Sequence, residues 1–144
     1  MKDAKQLFLD YLNSDAKGSG DLFASDGYLE LPYLASLGIP PKYTGPAEAT
    51  QFLTFLHEQL YPGFTFKDVQ IHLSTPDQAF ANYVIEAKSG ISGKAVRQEF
   101  FGHLVAEGGR IKALREAIDV SVAAEAIFKG GLEEVIANRK AKAA

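Results

Sequence analysis

The sequence predicts an α+β fold in which helices cover one face of a curved antiparallel sheet. Three observations point that way. Apolar residues recur at helical spacing in two stretches, one near the N-terminus and one after Pro46. Between residues 68 and 119, apolar and polar residues alternate in four runs joined by short turns. A last apolar helical stretch follows the strands. The 144 residues, 47% hydrophobic and 23% charged, suit one domain spanning 1–144 with its own core.

The elements follow in order. Ala4, Leu7, Phe8, Tyr11 and Leu12 occupy one face of a first helix. Small and polar residues from Ser14 to Gly20 break it, and a short helical piece is expected over 21–24. Asp26-Gly27 marks a turn, and Tyr28 to Leu31 a short strand stopped by Pro32. A loop over 33–45 carries Gly38, Pro40, Pro41 and Gly45. Pro46 suits the first position of a second helix, with Glu48 near its positive end. Ala49, Phe52, Leu53, Leu56 and Leu60 form its apolar side, and Pro62-Gly63 ends it.

Four strands come next. Val69, Ile71 and Leu73 alternate with polar neighbours in the first, and the second runs from Ala79 to Ala87. After the Ser89–Gly93 loop, a third covers Val96 to Ala106 and a fourth Ile111 to Asp119. Val120 to Phe128 reads as a helix capped by Asp119. The basic residues 139–144 read as a frayed, solvated tail.

Composition removes several functions. Fifteen basic residues against eighteen acidic ones leave a net charge of −3, so no concentrated basic face for nucleic acid is expected. There is no cysteine, which excludes disulfides, thiolate zinc sites and cysteine nucleophiles. No apolar run is long enough for a membrane span, and the first residues lack a signal-like apolar region. A cytoplasmic location is the resulting expectation. No G-x-S-x-G string is present, and Gly18-Ser19-Gly20 does not continue into a dinucleotide fingerprint. His57, His72 and His103 lack ligand spacing, so no metal is expected.

Glu116 is the leading catalytic candidate. It shares a strand face with Leu114 and Ile118, so if they line a pocket, it does too. A carboxylic acid in an apolar hollow loses solvation, and its pKa rises toward neutrality, where it can act as general acid or base. The bland alternative is a carboxylate paired with Arg115 or Arg97. His57 is the second catalytic candidate, four residues after Leu53 on the second helix and placeable at a pocket rim. Arg97, Glu99, Phe101 and His103 share one face of the third long strand, an unusual row for pure core. A cross-strand ion-pair surface would explain it equally well.

Several strings resemble the nuclear transport factor 2-like superfamily, in its SnoaL-like polyketide-cyclase branch. They are Leu22 to Pro32, Tyr43-Thr44-Gly45-Pro46, and Gly109 to Glu116 with Asp119 beyond. Tyr61 to Ile71, Thr75-Pro76-Asp77 and the Arg115-Glu116 pair are similar to phenazine biosynthesis A/B proteins. The resemblance implies a conical, barrel-like curved sheet enclosing a pocket for a small hydrophobic ligand, and frequent homodimerisation through the outer sheet face. Phe100, Phe101 and Leu104, pointing to both sides of one strand, give the dimer a separate motive.

The resemblance also implies an acid/base glutamate at Glu116. It turns the Arg97, Glu99, Phe101, His103 face into the cavity and sets Tyr33 and Tyr43 as its lid. Ligand contacts are then expected from Tyr33, Tyr43, Leu53, Arg97, Glu99, Phe101, His103, Leu114 and Ile118. The positions that carry the ketosteroid isomerase constellation align with Phe8, Leu31 and Phe101, which cannot move a proton. The implied activity is a cofactor-free isomerisation, cyclisation or condensation on an aromatic or carbonyl compound. A non-catalytic ligand-binding or dimeric scaffold is the alternative, and a hydrolase or dehydratase using Asp119 or Glu99 a second one.

Overall fold

A computed structural model describes residues 1–143. Helix α1 (Ala4–Asn13) begins where Asp3 accepts the Gln6 amide N–H and the Gln6 side chain returns the bond, a reciprocal cap. Helix α2 (Ala16–Gly20) and strand β1 (Phe23–Glu30) follow. A 3₁₀ segment (Pro32–Leu37) leads to the short strand β2 (Lys42–Thr44). Helix α3 (Gly45–Thr54) continues into a wider π-helical turn over Phe55–Leu60. Strands β3 (Lys67–Ser74), β4 (Gln78–Lys88), β5 (Ala95–Glu107) and β6 (Arg110–Ile118) form the meander. Helices α4 (Val120–Ile127) and α5 (Gly131–Ala143) complete the described chain.

The six strands make one curved, open sheet in the order β2-β1-β6-β5-β4-β3. The β1–β6 pair is parallel and the others are antiparallel. Alternation decides which side chains reach the core. On β5 the buried set is Gln98, Phe100, Gly102, Leu104 and Ala106. On β6 it is Ile111, Ala113, Leu114 and Glu116, with Ile118 half-buried. Helix α1 lays Leu7, Phe8 and Tyr11 against this inner face, and α3 adds Ala49 and Leu53. Burial of these apolar side chains supplies the main favourable term, each leucine or phenylalanine contributing roughly 1.5–3 kcal/mol.

The α+β class, the long strands and the two amphipathic helices match the expectation. Other details differ: Asp26-Gly27, expected as a turn, lies inside β1, and the expected 33–45 loop holds most of the 3₁₀ segment and all of β2. The stretch read as a break contains α2, because the Asp15 carboxylate accepts the Gly18 amide N–H and caps it. Residues 21–24 are not helical; β1 begins there at Phe23. The expected basic tail is mostly helix, since α5 runs to Ala143 and the Arg139 guanidinium donates to the Ser36 carbonyl at 2.9 Å through Nε. Ala144, part of that expected tail, lies outside the described residues. Among the described residues no helix is long and apolar enough to cross a membrane.

Candidate functional site

Two neighbouring features occupy the inner face of the sheet. The first is a buried acid. Glu116 is 3% exposed and stands opposite Gly102 on β5. Gly102 matters here because it carries no side chain. A Cβ there would meet the Tyr83 hydroxyl at 2.4 Å and the Phe8 ring at 2.8 Å. The space is taken by Tyr83, which comes from β4 opposite Phe100 and donates its hydroxyl hydrogen to Glu116 Oε2. Phe8, Phe66 and Phe100 hold the Tyr83 ring, with centroids 5.2–5.6 Å away.

The electrostatics follow from this enclosure. Burial raises the Glu116 pKa from 4.5 to about 7, against the opposing pull of the Tyr83 hydrogen bond. Burial and the Glu116 charge push both Tyr83 and Tyr11 well above the usual phenol range. Among the described residues no cation pairs with Glu116. Arg115 turns outward and bonds Glu30 at 2.8 Å, while Arg97 lies 3.3 Å from Glu86 and 3.7 Å from Glu99.

The second feature is a cavity of about 40 Å³ further along the same face. Leu31, Leu34, Phe55, Leu56, Phe100 and Ile118 are among its lining residues. Gln98 and Tyr61 are its polar members. The Gln98 amide is spent on Asp119, donating to its carbonyl at 2.9 Å and accepting its N–H at 2.8 Å. Burial pushes the Tyr61 hydroxyl up to about 12, so it stays protonated. No acid or base active near neutral pH lines this cavity, and Glu116 is not part of its wall.

The expected site residues fall in several places. Ile118 lines the cavity, while Leu114 and Leu53 are packed in the core away from it. Arg97, Glu99, Phe101 and His103 do not look inward, which corrects the expected orientation of β5. The inward set is the uncharged one beside it, because a charged row cannot be buried without partners. Phe101 is 43% exposed and stacks on Phe80, and His103 bonds Gln78 at 2.8 Å. Phe101, expected at a pocket position of the ketosteroid isomerases, therefore lies on the outer face. Tyr33, 52% exposed, belongs to that outer face with Phe101 and His103. Tyr43 stacks on Phe52 at 4.4 Å and donates to the Pro40 carbonyl at 2.5 Å. His57 packs against Phe64 at 4.5 Å, off the cavity wall, and burial lowers its pKa.

Phe100, Tyr83 and Gln98 were not singled out as site residues by sequence reasoning. The signal for Phe100 and Gln98 was their place in the uncharged row of β5. Tyr83 could not be found that way, because its reach to Glu116 depends on the missing side chain at Gly102. Among the described residues, no cluster of three or more histidines and carboxylates could hold a metal ion.

No family model matches the chain. An uncharacterized PhzA/B-like protein of Pseudomonas aeruginosa is 29% identical over 122 residues, covering 79% of this chain and 82% of that protein. The crystal structure of a phenazine biosynthesis-related protein from Pseudomonas aeruginosa superimposes with a TM-score of 0.72 at 17% identity, over 86% of this chain and 84% of that one. A nuclear transport factor 2-like protein from Burkholderia thailandensis gives 0.71 at 17% identity, over 88% and 98%. The chain therefore has the nuclear transport factor 2-like cone fold. Within that fold its sequence is similar to a PhzA/B-like protein.

Proposed function

We propose that this chain is a small-molecule pocket protein that moves protons without a cofactor, with Glu116 as its general acid and base. One observation carries the reading: a buried carboxyl bonded to Tyr83 with no cation beside it among the described residues, so that burial raises its pKa to about 7. Such a group is half-ionised near neutral pH, where proton transfer in both directions is most effective. In its ionised form it takes a proton from the carbon next to a carbonyl. In its protonated form it returns that proton elsewhere on the same molecule. That sequence is an isomerisation, and it also opens cyclisation and condensation. The likeness to phenazine biosynthesis-related proteins supports the fold on which this reading is built.

A second reading has its own observation. The cavity wall holds no acid or base active at neutral pH, which suits a binding protein without catalysis. Proton exchange separates the two. Cyclic ketones are incubated with the protein in deuterated water, and deuterium at the carbon beside the carbonyl is followed by NMR. The enzymatic reading expects incorporation with a midpoint near pH 7 that disappears in Glu116→Gln. Binding without incorporation in the wild type favours the second reading.

A homodimer through the outer sheet face belongs to the same proposal. Leu73 and Phe101 are exposed there beside Phe80, an apolar patch that a second copy would cover. Sedimentation of the wild type as a dimer and of Phe101→Glu as a monomer is the expected result. A wild-type monomer removes this part.

A further inference from the structure

We propose that Phe100 is the partition between the cavity and the acid, and that the compound it yields to is a neutral, single-ring carbonyl compound. This rests on reading Glu116 as the acid/base group and names the class of ligand that would meet it. The register of β5 and β6 sets two rows on the inner face, Phe100 opposite Ile118 and Gly102 opposite Glu116. Phe100 and Ile118 line the cavity. Glu116 lies one inward position back along β6, about 7 Å at the usual strand rise. Phe100 stacks on Tyr83 at 5.5 Å and 14°, and Tyr83 holds Glu116. Among the described residues, it is the one aromatic side chain of the cavity wall paired with Tyr83. Phe100 thus links the cavity wall on one side to the Tyr83–Glu116 pair on the other.

Size gives the same answer. A hollow of about 40 Å³ has room for little more than water, whereas a benzene-sized guest occupies a cavity of about 150 Å³. A ring compound fits only if the wall yields, and displacement of the Phe100 ring toward Glu116 would vacate the space of one six-membered ring. Charge then narrows the class. The cavity wall carries no cation, and an anion buried beside a carboxyl would pay its full desolvation cost unpaired. Glu116 Oε1 has no hydrogen-bond partner among the described residues, so a protonated carboxyl keeps a donor for a carbonyl oxygen.

The test compares wild type with Phe100→Ala, using cyclohexanone as the neutral probe and cyclohexanecarboxylate as the anionic one at pH 8. Cyclohexanone is expected to bind Phe100→Ala at least tenfold more tightly than wild type, and cyclohexanecarboxylate to gain less than twofold. The carbonyl carbon signal of the bound ketone should move downfield at pH 6, and this shift should vanish when Glu116→Leu is added. Equal ketone affinity in the two proteins, an equal gain for the carboxylate, or a carbonyl signal indifferent to position 116 would each overturn the proposal. Phe100→Leu replaces the alanine variant if that does not fold, with the same ordering expected. In the wild type itself, a cyclohexanone titration should shift the Phe100 ring and Glu116 carboxyl resonances together. Movement of only one of them counts against the partition. None of these measurements reads turnover, so an inactive Glu116 would defeat the enzymatic reading and leave the partition standing.

Discussion

Replacing Glu116 with glutamine should change how stability depends on pH. The carboxyl titrates at about 7 when folded, against 4.5 as the ordinary value. At 1.36 kcal/mol for each pKa unit, the difference amounts to about 3 kcal/mol. The sign follows from which state holds the proton. Between pH 4.5 and 7 the folded chain keeps a proton that the unfolded chain has released, so stability falls as pH rises through that window. The contribution is complete below 4.5 and gone above 7. Glutamine has nothing to titrate. Urea unfolding of both proteins from pH 4.5 to 8 should show the wild type losing about 3 kcal/mol relative to Glu116→Gln. His57 produces the opposite slope, since burial lowers its pKa and the unfolded chain binds the extra proton near 6.5. It is present in both proteins and cancels in the difference. Parallel stability curves would mean that the folded chain holds position 116 ionised, and the acid/base role would fall with them.

Three further outcomes follow from individual contacts. Tyr83→Phe keeps the ring and removes the hydrogen bond that lowers the Glu116 pKa, so the Glu116 titration followed by NMR should move upward. The lost bond should cost about 1 kcal/mol in urea unfolding, and an unmoved titration would show that the pair is not coupled. Gly20→Ala should lower the melting temperature at a cost of about 1–3 kcal/mol, because a Cβ there would stand 1.9 Å from Thr50 Oγ1 and 3.0 Å from its Cα. An unchanged melt would mean that α2 and α3 can separate freely. Arg139→Ala should speed amide exchange along α5 and leave the sheet unaffected, since Gly131 and Val135 are that helix's only buried residues. Unaltered protection would assign the anchoring of α5 to Val135.

Period and punctuation made the long elements legible. The four strands of the meander show in the alternation of their sequence, which β5 keeps in its burial, and α1 shows its whole buried stripe in Ala4, Leu7, Phe8, Tyr11 and Leu12. The elements that escaped are those whose stability is not local. Helix α2 reads Ala-Lys-Gly-Ser-Gly, a poor helix former held by the Asp15 cap and by the close seat of Gly20 on Thr50. Helix α5 carries a basic end that resembles a solvated tail until Arg139 finds the Ser36 carbonyl, 103 residues away. The β5 orientation is legible in its two rows, and the inward one is opposite to that expected. Its charged row, Arg97, Glu99 and His103, alternates with the uncharged row Gln98, Phe100, Gly102 and Leu104. Burial cost alone selects the second for the core.

The site was half legible for a physical reason. Glu116 declares itself through its neighbours, Leu114 and Ile118, because period-2 geometry is local to one strand. What surrounds its carboxylate depends on a glycine and a tyrosine from two other strands, and no pattern within β6 contains them. Among the described residues, and apart from the tyrosines, four polar or charged side chains are buried: Ser19, Ser89, Gln98 and Glu116. Three are spent on backbone groups. Ser19 donates to the Tyr11 carbonyl, Ser89 to the Ala126 carbonyl, and Gln98 ties down Asp119. Each closes a junction between elements and has a structural account. Glu116 alone is ionisable, and alone bonds only another side chain. Its bond with Tyr83 joins β6 to β4 across β5, and above neutral pH its burial weakens the fold. A buried acid that costs stability above neutral pH, with no cation beside it among the described residues, is a candidate for chemistry, and the Glu116→Gln comparison is its test.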